Sequence, residues 1–117
     1  MVKVTYCRKD NCLTINGHAL SGEKGHDLVC AAVSSHAYTL AHNVEKLVSR
    51  GAASDKIIRL EDGYSEISCK VKKSYRATVT LVFDTVCAGF EILSIRYPDN
   101  VKYEIINYTR DRKEIAE

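Results

Sequence analysis

Val2, Val4 and Tyr6 alternate with polar neighbours, Leu13 and Ile15 alternate again, and Arg8 to Asn11 between them supply a turn. A period of two with one apolar side marks a half-buried strand, so this stretch predicts a β-hairpin. The period then changes. Val29, Val33, His36 or Ala37, Leu40, Val44, Leu47 and Val48 recur at steps of three and four, a single apolar stripe on a helix that Gly51 can stop.

The second half repeats the order. After the GAASD segment, Ile57 to Leu60 and then Ser65, Ile67, Cys69 and Val71 flank the turn dipeptide Asp62-Gly63, which predicts a second hairpin. Ser74 can cap a second helix whose stripe is Val79, Val82, Phe83, Val86, Phe90, Leu93 and Tyr97, ending before Pro98. The run TVTLVF within it favours a strand by propensity, but the period over the whole segment favours the helix. Past the Pro98-Asp99-Asn100 turn, Val101 to Tyr108 predicts a last strand, and the charged tail TRDRKEIAE is expected to fray.

The predicted order is β-β-α-β-β-α-β: an α/β chain of the α+β type, with a mainly antiparallel sheet and two helices on one face. No linker or low-complexity segment interrupts it, so residues 1–117 are expected to form one domain. An apolar content of 45% suffices for a core without staples. The five cysteines lack the density of a disulfide scaffold and the spacing of a zinc module, which points to thiols in a reducing cytosol and to no metal or cofactor.

MVKVTYCRKD lacks an apolar core of signal-peptide length, so a cytoplasmic location is expected. Asp84 and Glu91 interrupt the apolar run Ala77 to Ile95 and would each cost about 2.5 to 3.5 kcal/mol near a bilayer centre, so no membrane span is expected. A net charge of +2 with scattered lysines and arginines gives no basic stripe for direct nucleic-acid binding.

The stretch NGHALSGEKGHDLVCAAVSS carries the candidate chemistry. Asp27 is the natural helix cap, able to accept from the backbone N–H of Val29 or Cys30, and it places Cys30 at the third helical position. There the unpaired N–H groups and the positive end of the helix dipole favour a thiolate, while the Asp27 charge opposes it. His18, across the loop at a strand end, is the candidate base, with His26 as a rival four positions before Cys30.

Cys30, Ser34, Ala37 and Ala41 form a face of small side chains, against which either the sheet backbone packs or an extended peptide lies. Gly17, Gly22 and Gly25 flank and interrupt the loop, giving the backbone freedom of a segment that closes over a ligand. Tyr38, Tyr64 and Tyr75 read first as half-buried packing residues and are also the candidates for lining a substrate pocket.

Each of these residues also has an ordinary use. A helical cysteine is commonly a small core residue, a histidine in a turn is commonly solvated, and an aspartate at Asp27 is an ordinary cap. His36 and His42 fall on the long helix and read as structural or exposed, and the other four cysteines as packing residues. Two classes of protein compete with a thiol hydrolase on this evidence: a noncatalytic binding module using the same groove, and a thiol redox sensor.

GHA followed twelve positions after its histidine by the cysteine of GHDLVCAAVS resembles the ribosomal-processing cysteine protease family Prp, over nearly the whole chain in length and element order. The resemblance implies a cytoplasmic bacterial homodimer that removes a short N-terminal extension from the precursor of large-subunit ribosomal protein number twenty-seven. It implies Cys30 as nucleophile and His18 as general base, with Asp27 and Ser34 in support. The loop from Ala19 to His26, including Gly22 and Gly25, corresponds to a segment that orders over substrate. Beyond Ser34 the likeness is general.

Overall fold

The computed structural model describes residues 1–19 and 27–106 of the chain. Strands β1 (Val2–Cys7), β2 (Cys12–Gly17), β3 (Ala53–Glu61), β4 (Tyr64–Val71) and β5 (Val101–Ile106) form one sheet in the order β3-β4-β2-β1-β5. Helix α1 (Leu28–Ser49) follows the first hairpin and α2 (Arg76–Arg96) the second, in the predicted order. All neighbours are antiparallel except β1 and β5, which run parallel, so the last strand closes the sheet beside the first.

Alternation sets the faces. Val2, Val4 and Tyr6 of β1 and Leu13 and Ile15 of β2 point into the core, while Lys3 is exposed on the opposite face. Above them the α1 stripe Val29, Val33, Ala37, Leu40, Val44 and Leu47 is buried as its spacing predicts. α1 lies over β3 and β4, α2 over β5, and the two helices lie against each other. Gly89 permits that approach: a Cβ there would stand 2.7 Å from His36 Nε2, and the His36 ring meets Phe90 edge-on at 5.5 Å.

Polar side chains fix the first hairpin to α2. The Tyr6 hydroxyl donates to Asp84 Oδ1 at 2.8 Å, and Arg8 donates to the same carboxylate from Nε and Nη2, each at 3.0 Å. Asn11, buried and at φ +48°, donates from Nδ2 to Thr80 Oγ1 at 3.3 Å. The segment Lys73–Arg96 is long and apolar enough to cross a membrane by length and composition. Here its Val79, Phe83, Cys87 and Phe90 side chains are buried, and Asp84 is engaged by the sheet.

The structure corrects several local expectations. β3 begins at Ala53 rather than Ile57, because Ala52 and Ala53 are buried and Ala53 already pairs with Val71. A break in register between Ser54 and Ile57, with Asp55 at φ +49°, absorbs the rest of the GAASD segment. Ser74 does not cap α2: it sits in a short 3₁₀ turn, Lys73–Tyr75, and the helix starts at Arg76 with no side-chain cap.

At the other end of α2, Tyr97 lies past the helix and is 44% exposed, whereas Cys87 joins the buried stripe. β5 is described as far as Ile106, and the remainder of the expected strand and the tail lie outside the described residues.

Candidate active site

β2 leaves the sheet at Gly17, which adopts φ +94° and donates its N–H to the Gly63 carbonyl at 2.9 Å. Only glycine fits, because the conformation is left-handed and a Cβ would overlap the Met1 carbonyl oxygen. The turn delivers His18 to the next position. Its imidazole lies over Gly63, where a Cβ would stand 3.1 Å from Nε2, and Nε2 is 3.9 Å from the solvent-exposed Asp62 Oδ1. The His18 side chain is 52% exposed, open to proton exchange with water.

Ala19 turns inward and is buried, with its N–H donating to Cys30 Sγ at 3.2 Å and its carbonyl accepting from Asn100 Nδ2 at 2.7 Å. On the other side of the loop, Asp27 caps α1 as predicted, its Oδ1 accepting from the Cys30 N–H at 2.9 Å. Cys30 is thereby held in the first turn of α1, half-buried and adjoining the core.

A cleft of about 350 Å³ brings these parts together. Gly17 and His18 form one wall, Cys30, Ser34 and Tyr38 of α1 another, and the β3–β4 turn with Tyr64 a third. The small-residue face of α1 is divided between the cleft and the core. Cys30 and exposed Ser34 border the cleft, Ala37 is at once buried and part of its lining, and Ala41 is buried in the core.

Tyr38 and Tyr64 border the cleft as expected, whereas Tyr75 belongs to the 3₁₀ turn before α2 and is absent from its lining. Gly22, Gly25, His26 and the rest of the Ala19 to His26 loop after Ala19 lie outside the described residues.

Sequence reasoning missed Asp62, Gly63 and Asn100 as neighbours of the site. Asp62-Gly63 was legible as a turn, but its place beside His18 depends on β4 pairing with β2, a contact between distant segments. Asn100 follows α2 and reaches the site only because β5 aligns with β1.

The cysteines differ in environment, and none is in a disulfide. Burial pushes the Cys69 thiol up to about 11 and the Cys87 thiol up to about 12, so both are protonated and shielded near neutrality. Cys7 is buried and donates to Asp10 Oδ2 at 3.4 Å. A partly accessible thiol that borders a cleft together with a solvent-accessible imidazole has the ingredients of a cysteine hydrolase.

The model of the family described as Cysteine protease Prp matches residues 1–102, and the chain belongs to that family of cysteine proteases. The fold is similar to that of the essential ribosomal processing protease Prp of S. aureus in complex with a covalently linked product peptide. That match has a TM-score of 0.68 at 20% identity over 90% of this chain and 97% of the other. The same S. aureus protease in complex with a substrate peptide matches with a TM-score of 0.65 at 20% identity, over 91% and 100%. SMU.848 from Streptococcus mutans matches with a TM-score of 0.65 at 26% identity, over 92% and 93%. No curated protein sequence matches the chain.

Proposed function

We propose that this cysteine protease matures a ribosomal protein, cutting a short N-terminal extension from the precursor of large-subunit protein number twenty-seven, with Cys30 as nucleophile and His18 as general base. The observation that carries the reading is that the Cys30 thiol and the His18 imidazole border one cleft, with the Ala19 N–H on the sulfur. A binding module needs neither group. The solved relatives that share the fold are described as a ribosomal processing protease bound to substrate and product peptides, which supports a peptide in this cleft.

The chemistry is acyl transfer. His18 takes the thiol proton, and the sulfur attacks the scissile carbonyl to form a tetrahedral intermediate. The leaving amine then departs with the proton from the imidazole, leaving a thioester on Cys30. Water that gives its proton to His18 hydrolyses the thioester, and the proton returns to the sulfur as the acid product leaves. Asp27 supports the site by holding the Cys30 backbone, and Ser34 one turn on offers a hydroxyl at the cleft edge. The Cys30 N–H donates to the Asp27 side chain and the Ala31 N–H to the Asp27 carbonyl, so oxyanion donors are to be sought elsewhere.

Incubating the chain with the precursor and weighing the products tests the reading: a single cut within the extension, lost in Cys30→Ala, is expected. An uncut precursor or full activity of the alanine variant would overturn it. The loop from Ala19 to His26, with Gly22 and Gly25, is proposed to contact the bound peptide, seen as slowed amide exchange on binding.

The protein is proposed to act in the cytoplasm as a homodimer. Leu81, Ile92 and Ile95 support the second point, since they fall on one side of α2 and are 65%, 54% and 69% exposed. A sedimentation mass near 13.1 kDa, that of one chain, would refute it.

A further inference from the structure

We infer that Asn100 is a positioning residue for the Cys30 sulfur, acting through Ala19. The inference rests on Cys30 being the nucleophile proposed above. Asn100 ends the turn between α2 and β5, and its backbone has separate duties: its N–H donates to the Tyr97 carbonyl at 2.9 Å and its carbonyl accepts from Val2 at 2.8 Å. The side chain is not needed for either bond. It reaches instead across the sheet end, where Nδ2 donates to the Ala19 carbonyl at 2.7 Å.

Ala19 is therefore held from both ends. Its carbonyl is fixed by Asn100, its N–H points at Cys30 Sγ 3.2 Å away, and its side chain is buried. Without Asn100 the Ala19 carbonyl is free to turn about the Cα–C bond and the residue loses an anchor; a shift of the residue as a unit moves its N–H off the sulfur and displaces His18, the residue immediately before it. An N–H bond to sulfur strengthens when the sulfur carries charge, so the state favoured by this clamp is the attacking one. Asn100 touches neither the sulfur nor the imidazole in this chain of contacts. Its effect on the reaction is relayed by one residue of backbone.

The alternative is that the amide only satisfies a carbonyl near the core, which would affect folding stability and nothing else. Two variants separate these roles. Asn100→Asp keeps the shape and replaces the donor with an acceptor, and Asn100→Ala removes the group. For each variant the rate of iodoacetamide labelling of Cys30 at neutral pH is read by mass on the Cys30 peptide, beside thermal unfolding and steady-state cleavage.

Positioning predicts folded variants in which labelling slows by about tenfold, as losing one hydrogen bond to a charged group implies. It also predicts that kcat falls by up to about a hundredfold with KM little changed, the scale of a misplaced reacting group. Labelling at the wild-type rate in a folded Asn100→Ala protein would overturn the inference, as would variants that lose only folding stability or do not fold. Labelling needs no peptide substrate, so a wild-type chain that fails to cut the precursor would sink the proposed function while this comparison still stands or falls alone.

Discussion

The His18 imidazole rests on Gly63, a residue of the β3–β4 turn, so closely that a Cβ there would stand 3.1 Å from Nε2 and the ring would have to yield by a few tenths of an ångström. The candidate base is thus positioned by a hairpin that the chain makes more than forty residues later. Gly63 also holds φ +78°, so an added side chain is strained as well as crowded. Gly63→Ala is expected to cost about 1 kcal/mol of stability. By moving the imidazole it is expected to lower kcat/KM for the precursor peptide by about tenfold or more. Chemical denaturation and peptide cleavage on the same sample check the pair of effects, and an activity loss no larger than the stability loss explains would remove His18 from the mechanism.

Removing the imidazole itself gives a cleaner chemical test. His18→Ala should slow iodoacetamide labelling of Cys30 near neutral pH, because the proposed acceptor of the thiol proton is gone. Cys69 and Cys87 provide internal controls, since burial keeps both thiols protonated and shielded at that pH. Unchanged labelling of the Cys30 peptide in the variant would pass the role of base to another group, with His26 first in line.

Gly17 and Gly51 share left-handed backbones, at φ +94° and +79°, yet only Gly17 has neighbours where a Cβ would go. Gly51→Ala is expected to cost about 1 kcal/mol, from conformation alone. Gly17→Ala adds a clash with the Met1 carbonyl and is expected to cost about 2 kcal/mol or more, with cleavage lost as His18 shifts. Equal unfolding midpoints for the two variants would refute the assigned crowding.

The Asp84 carboxyl is held below the usual carboxylate range by the Arg8 guanidinium that donates to it, helped by the Tyr6 hydroxyl against the opposing effect of burial. A carboxyl that binds protons less readily in the folded state contributes stability in full above its unfolded value, near 3.9. That contribution is lost as pH falls through the lower folded value. Acidification below about pH 4 should therefore lower Tm, and Asp84→Asn should flatten part of that decline. At neutral pH the variant is expected to lose about 1 to 2 kcal/mol, limited by the partial exposure of the pair. Tm profiles of the two proteins that run parallel from pH 7 down to pH 3 would show the carboxylate to be idle.

The parts of the molecule that speak through local spacing were legible in the sequence. The α1 stripe, the Asp27 cap and the Asp62-Gly63 turn are each decided within a few residues, and each stands as read. The start of β3 was hidden because small residues such as Ala52 and Ala53 resemble a loop until a helix is known to cover them. Ser74 offered a good cap that the chain does not use, since a 3₁₀ turn takes it up and the helix starts two residues later. At the site, His18 and Cys30 were visible as a motif, while Asp62, Gly63 and Asn100 join them only through strand pairings that no local pattern encodes.

The first peptide of the chain presses against Gly17, and Val2 itself borders the cleft. Val2 therefore belongs to two surfaces at once: it is 2% exposed in the core and still part of the wall that an incoming substrate would meet.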